Sequence, residues 1–479
     1  MIDITDFSYG YEGSSRLALN RLDLHIEEGE FVVIAGPSGC GKSTLALGIG
    51  GYLSRQFQGH GRGGLRVGAL DVNDRPIYEV ADLVGLVQQN PENQFCTLTV
   101  SDEIAFGLEN RRLSPRCIEE RIAWALRTVL AEPLRDRLLA TLSGGEKQKV
   151  AIASMLASSP RVLIFDEPTS NLDPTATAAI FDVLENVRRQ SAITIVVIEH
   201  KLNYLQRFSP RLVRMEDGRI LEDNGSIDPA RPPPASQPSR PGQSLMTVEH
   251  LTYDYDPIRA LDDVSVSLNA GQFIAVMGDN GSGKTTFLRC LMGLLRPTSG
   301  RVLWMGKETA GLRVSALVHD MGYLFQNPDH QLLANTVWEE ATLIGRNLGE
   351  PERVRRRAEC LLRETGLDER RDDHPFSLSY GEKRRLNVIS VTAHEPRIVL
   401  ADEVLIGQDP VNAAYLMEHL RGTSDAGGCV VLALHDSRMA MRYADRVLFF
   451  RSGRVIIDAP PQEALTELGR QGYAAYVGG

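Results

Sequence analysis

One phrase, written twice, constrains this chain more than any other feature: Gly36-Pro37-Ser38-Gly39-Cys40-Gly41-Lys42-Ser43-Thr44 and Gly278-Asp279-Asn280-Gly281-Ser282-Gly283-Lys284-Thr285-Thr286. Both copies fit the pattern G-x-x-x-x-G-K-[ST]. Each follows an apolar run, Phe31-Val32-Val33-Ile34-Ala35 or Phe273-Ile274-Ala275-Val276-Met277, so the context predicted is strand, loop, helix. In that context the glycines let successive backbone N–H groups turn toward a polyphosphate. Lys42 or Lys284 reaches the outer phosphates, and the Ser43 or Thr285 hydroxyl ligates Mg²⁺. A glycine-rich turn can match such a pattern once by accident. Two matches in the same context call for two nucleotide sites.

The remainder of the chain repeats around these loops. Lys42 to Lys284 is 242 residues, Gln89 to Gln326 is 237, Ser143 to Ser379 and Glu167 to Glu403 are each 236, and His200 to His435 is 235. The landmarks keep their order with a drift of 7, most of it beside Gly59-His60-Gly61-Arg62-Gly63-Gly64, which reads as an inserted surface loop. A Pro- and Ser-rich stretch, including Arg231-Pro232-Pro233-Pro234, interrupts the apolar pattern and reads as a solvated linker. The expected division is residues 1–224, a linker over 225–244, and 245–479.

Composition narrows the partners. The chain of 479 residues carries a net charge of -10 with no Lys/Arg block, which gives no electrostatic support to a nucleic-acid partner. Its six cysteines are scattered without a C-x-x-C pair and read as reduced thiols, Cys40 being a small side chain tolerated in a tight loop. No stretch approaches 18 apolar residues and the first residues lack the pattern of a signal peptide, so neither a membrane span nor export is expected. The runs Ile193–Ile198 and Cys429–Leu434 have the length and β-branched content of buried parallel strands.

Chemistry enters with two further repeats. Val162-Leu163-Ile164-Phe165-Asp166-Glu167 and Ile398-Val399-Leu400-Ala401-Asp402-Glu403 each end an apolar run in two acids, at the edge where α/β sheets place ligands. The first acid can hold Mg²⁺, and the second can orient and deprotonate a water attacking the γ phosphate. Each glutamate follows by 24 residues the serine of Leu142-Ser143-Gly144-Gly145-Glu146-Lys147-Gln148 or Leu378-Ser379-Tyr380-Gly381-Glu382-Lys383-Arg384.

These last phrases resemble the signature motif of ABC-type ATPases, and the resemblance covers essentially the whole chain. It implies an α/β fold of two P-loop NTPase domains in tandem, each with a mostly parallel sheet core, an antiparallel β subdomain and a helical subdomain. It implies ATP and Mg²⁺ as ligands, and an intramolecular pseudo-dimer in which each ATP meets the phosphate loop of one half and the signature (Ser143, Gly144, Gly145 or Ser379, Gly381) of the other. By the same resemblance Gln89 and Gln326 sense Mg²⁺ and the attacking water. His200 and His435 contact the γ phosphate, and Tyr11 and Tyr255 stack on adenine, with Tyr9 and Tyr253 close enough to take that role.

Gln89-Asn90-Pro91-Glu92-Asn93-Gln94 and Gln326-Asn327-Pro328-Asp329-His330-Gln331 look like the ATPases of energy-coupling factor importers for vitamins and cobalt or nickel. The implied setting is peripheral, at the cytoplasmic face of a membrane, beside a membrane coupling subunit (the T component) and a separate membrane-embedded substrate-binding subunit. Thr99 with Asp102, and Thr336 with Glu339, have capping-box spacing at helix starts. Glu92, Glu103, Asp329 and Glu340 are then expected to form an acidic docking surface for an arginine-rich coupling helix. The second half departs from the family pattern at Tyr380, at Val404 where the first half has Pro168, and at Ile406-Gly407-Gln408-Asp409 against Ser170-Asn171-Leu172-Asp173. Both glutamates and both histidines persist, so both sites are expected to hydrolyse ATP. Alternatives are a tandem sugar-importer ATPase and a non-transport ABC ATPase acting on ribosomes or DNA. A thiamine-precursor cargo fits the tandem arrangement and the differing phrases around His200 and His435.

Overall fold

In a computed structural model of the chain, which describes residues 1–14, 16–190, 193–225, 227 and 242–477, the apolar runs before the two phosphate loops form the strands Phe31–Ala35 and Phe273–Met277. Both are buried along their whole length, as strands covered on two faces must be. The chain divides into two compact units, Met1–Ala230 and Arg231–Gly479. Most of the predicted linker, residues 228–241, lies outside the described residues.

The two units share one sheet plan. In the first, the central sheet runs Arg219–Gly225, Arg211–Glu216, Phe31–Ala35, Thr194–Ile198, Val162–Asp166, Val84–Val87. Only the outer pair is antiparallel. In the second, the same order reads Arg454–Ala459, Arg446–Arg451, Phe273–Met277, Cys429–Ala433, Ile398–Asp402, Met321–Leu324, again with one antiparallel edge pair. Parallel neighbours end at the same edge, so the residues following four strands of each sheet are gathered there: the phosphate loop, glutamine, acid pair and histidine.

Side chains alternate between two cores. Phe31, Val33 and Ala35 face a cluster shared with the helices, while Val32 and Ile34 face one shared with a second, antiparallel sheet. At about 1.5–3 kcal/mol for each fully buried Val, Ile or Phe side chain, the four large apolar residues of Phe31–Ala35 pin the strand in register.

That second sheet holds a correction. Gly59-His60-Gly61-Arg62-Gly63-Gly64 is no surface loop: it begins the strand Gly59–Val67, paired antiparallel with Ile2–Tyr11. Its glycines signal turns by local chemistry, but a tight approach requires them here. At Gly63, with φ +97°, an added Cβ would lie 2.3 Å from the Asp6 carbonyl oxygen.

Three helices complete each unit's helical part, Val100–Asn110, Pro115–Thr128 and Gly144–Ala157 in the first, Val337–Leu348, Pro351–Glu364 and Tyr380–Thr392 in the second. In the second unit these pack around their own core, including Val337, Ala341, Leu361 and Ile389. Among the described residues no helix is long and apolar enough to cross a membrane.

Candidate nucleotide sites

Each phosphate loop is closed by its own lysine. Lys42 Nζ donates to the carbonyls of Gly36 and Pro37, both at 2.9 Å, and Lys284 Nζ to those of Gly278 at 2.9 Å and Asp279 at 3.1 Å. Both lysines are buried, so their charge lies beneath the loop beside the N-termini of the helices Lys42–Ile49 and Lys284–Leu291. Gly41 and Gly283 precede those helices with φ +104° and +107°, and an added Cβ would come within 2.3 and 2.5 Å of the Ala18 and Ala260 carbonyl oxygens. Free amides at a helix start, a buried cation and a concave backbone make an anion site.

The hydroxyl and carboxylate predicted for Mg²⁺ already meet. Ser43 Oγ donates to Asp166 Oδ1 at 3.0 Å, and Thr285 Oγ1 to Asp402 Oδ1 at 2.9 Å. Burial pushes the Asp166 carboxyl up to about 6, opposed by the Ser43 hydrogen bond and reinforced by the charge of Glu167. Asp402 is raised for the same reasons, burial first. A carboxylate half-buried in the first unit and buried in the second, beside a hydroxyl at the foot of a triphosphate loop, suits a hard divalent cation completed by phosphate oxygens and water.

The glutamates sit at the centre. Glu167 accepts from Gln89 Nε2 at 3.2 Å and lies 3.1 Å from His200 Nε2. Glu403 accepts from Gln326 Nε2 at 3.0 Å and lies 2.9 Å from His435 Nε2. In the second unit Lys284 Nζ also stands 3.4 Å from Glu403. Burial raises the Glu403 carboxyl, but His435 and Lys284 outweigh it and hold it below its ordinary value. Tandem residues 77 or 78 positions apart in the chain are thus joined by the strand order.

The signature serines are engaged elsewhere within their own units. Ser143 and Ser379 cap the helices Gly144–Ala157 and Tyr380–Thr392, each in a reciprocal box with Glu146 or Glu382. Gly144, Gly145 and Gly381 occupy the first turns of those helices. The Tyr380 ring lies over Gly407, where an added Cβ would be 3.1 Å from its Cε1, so its side chain leans on its own unit. Val404 is fully buried in the helical-side core, and Asp409 caps the helix Pro410–Asp425. The departures of the second half are therefore accommodated by packing and capping.

Tyr9 is buried, whereas Tyr11 is half-buried with its hydroxyl 3.1 Å from Thr44 Oγ1, and Tyr255 is exposed. Of each pair, the second tyrosine presents more ring to solvent.

The docking surface needs correction. Glu103 and Glu340 are buried, not exposed. Glu103 Oε2 accepts from the amides of Cys96 and Thr97, both at 3.0 Å, and from the Thr97 hydroxyl at 2.9 Å. Glu340 Oε2 accepts from the amides of Leu333 and Ala334, both at 2.8 Å. Both carboxylates brace the loop after the glutamine phrase, an arrangement that i to i+7 spacing across a helix start could have suggested. Glu92 and Asp329 are exposed, but each pairs with a lysine of the signature helix, Lys147 or Lys383.

Sequence reasoning missed two supports. Glu199 is buried and accepts from the Thr169 hydroxyl at 2.6 Å and from the His200 amide at 2.8 Å, fixing the histidine's backbone. Arg384, wholly buried, donates to the carbonyls of Phe325, at 2.6 Å, and Gln326, tying the signature helix to the glutamine loop.

Fold and sites together define a P-loop nucleoside triphosphatase with two nucleotide-binding units. The ABC transporter family matches residues 19–170 and 261–405, so the chain belongs to that family, as a tandem ATP-binding protein, and it is an ATPase. It is 32% identical over 541 residues to an ABC transporter ATP-binding protein, provisionally so named, of Methanosarcina acetivorans, covering 98% of this chain and 88% of the relative. It is 31% identical to a Bacillus subtilis protein with the provisional name HMP/thiamine import ATP-binding protein YkoD, covering 98% of this chain and 93% of that one. Among solved structures, a ribosome-bound complex of archaeal Pelota and ABCE1 matches with a TM-score of 0.69 and 21% identity, covering 97% of this chain and 80% of that one; this likeness is one of fold alone.

Proposed function

We propose that this chain is the ATPase of an energy-coupling factor importer for a vitamin-type substrate, with a thiamine precursor as the favoured class. The observation that carries this reading is the match, along nearly the full length of both chains, to the Bacillus subtilis protein named for HMP/thiamine import. The two glutamine phrases, resembling that importer class, support it. The protein then works at the cytoplasmic face of the membrane, held there by a membrane coupling subunit, while a separate membrane subunit selects the cargo.

In this reading residues 1–224 and 245–479 are the two nucleotide-binding domains. Each triphosphate is gripped by the phosphate loop of its own half. The hydroxyls of Ser43 and Thr285 with the carboxylates of Asp166 and Asp402 hold Mg²⁺, which neutralises phosphate charge. Glu167 and Glu403 orient the attacking water and accept its proton, each glutamate held in place by its glutamine and histidine. Both sites turn over, with the first site relying on Glu167 without the lysine contact that Glu403 has.

Two measurements test the proposal. Expressed with the membrane coupling and substrate-binding subunits of an importer of this class, the chain should co-purify with them and accelerate HMP or thiamine uptake into vesicles loaded with ATP. Co-purification with ribosomes instead would overturn it. In single-turnover hydrolysis, Glu167→Gln and Glu403→Gln should each cut the rate at least ~100-fold at the altered site, the scale of losing a general base; full activity in either variant would refute shared work.

A further inference from the structure

The second phosphate loop carries a carboxylate, Asp279, where the first carries Pro37. A carboxylate in a loop that holds a triphosphate repels its ligand unless its charge is drawn aside. After the helix Pro461–Arg470, the single helical turn Ala474–Val477 brings Tyr476 back to this loop, and its hydroxyl donates to Asp279 Oδ1 at 2.9 Å.

The tyrosine is aimed there by packing. Its ring is 1% exposed and stands edge-on to Phe449, with centroids 5.0 Å apart. Tyr473 packs edge-on to the same Phe449, also at 5.0 Å. Phe449 lies opposite Met277 in the strand pair that leads into the loop, so tail, strand and loop form one contiguous packed unit. Pro37 offers no side-chain acceptor, so the first loop has no equivalent bond.

We propose that Tyr476 is a positioning residue for ATP at the Lys284 loop: it holds the Asp279 carboxylate off the triphosphate and makes ATP affinity at this loop, and not at the Lys42 loop, depend on the segment after Arg470. The inference rests on the reading of the Lys284 loop as an ATP site.

The test uses the full chain carrying Lys42→Ala, so that ATP is held by the second loop, and reads the Kd for Mg-ATP with a fluorescent ATP analogue. Tyr476→Phe keeps the ring and its packing but removes the hydroxyl. It should raise Kd about ten-fold or more, the scale of one hydrogen bond to a charged group, and this increase should vanish when Asp279→Asn is also present. An unchanged Kd in Tyr476→Phe overturns the inference, as does an equal increase with and without Asp279→Asn, which would reduce Tyr476 to packing. A Lys42→Ala chain that binds no ATP removes the reading of the loop and the inference with it. In a chain with Lys42 intact and Lys284→Ala, Tyr476→Phe should leave Kd unchanged; a rise there also counts against it.

Discussion

Glu167 and Glu403 adopt left-handed backbone angles, φ +47° and +50°, that side-chain-bearing residues seldom hold. Such strain costs ~1–3 kcal/mol and persists where surroundings over-determine it. Here each amide bonds to the neighbouring strand, at Ile198 or Ala433, while the side chain is caught by glutamine and histidine. The adjacent Asp166 stores a second cost. Its carboxyl titrates at about 6 in the fold against an ordinary 3.8, so the folded protein binds a proton more tightly than the unfolded chain and loses stability as pH rises from about 4 through about 6. Asp166→Asn should therefore stabilise the nucleotide-free protein in chelator by roughly 3 kcal/mol above pH 7 and by little near pH 4, read as a raised melting temperature, while abolishing turnover at that site. Thermal melts at the two pH values check both size and sign.

Among the elements, the segment between the glutamine loop and the following helix is held by one carboxylate in each unit. Thr99 and Thr336 accept from the amides of Asp102 and Glu339, as capping spacing predicts, which leaves Glu103 and Glu340 to turn inward onto the preceding loop. Removing the carboxylate strands two amides per unit. Glu340→Ala should cost about 2–4 kcal/mol, visible as a lowered urea midpoint. Charge reversal there would report on folding before it reported on any partner. The strand Gly59–Val67 shows the opposite lesson: composition reads as loop, yet pairing with Ile2–Tyr11 makes it sheet, because only glycine lets the two backbones approach at Gly63.

Across the whole molecule, both units expose an apolar residue in the loop after the glutamine phrase, Leu98 at 78% and, two positions earlier in the repeat, Leu333 at 79%. With the acids buried or paired, these leucines are the better anchors for a membrane subunit in the importer reading. Leu98→Glu combined with Leu333→Glu should abolish co-purification with the membrane subunits while leaving Kd for ATP within about two-fold of the unaltered chain; pull-down and nucleotide titration of the same preparation decide it. Retained assembly would place the docking face elsewhere.

The sequence by itself determined what is local and repeated. Strand–loop–helix around Lys42 and Lys284, the acids closing Val162–Asp166 and Ile398–Asp402, and the threonine caps of the helices Val100–Asn110 and Val337–Leu348 depend on short-range spacing, and the structure has them where the pattern places them. Tertiary structure alone decided which distant groups meet. Strand order joins Gln89 to Glu167 and His200, burial turns Glu103 and Glu340 from surface charges into loop braces, Arg384 finds the Phe325 carbonyl, and Tyr476 reaches Asp279 across 197 residues. Periodicity records which face of an element is apolar, but carries no mark of the partner that a polar side chain meets once that face is covered.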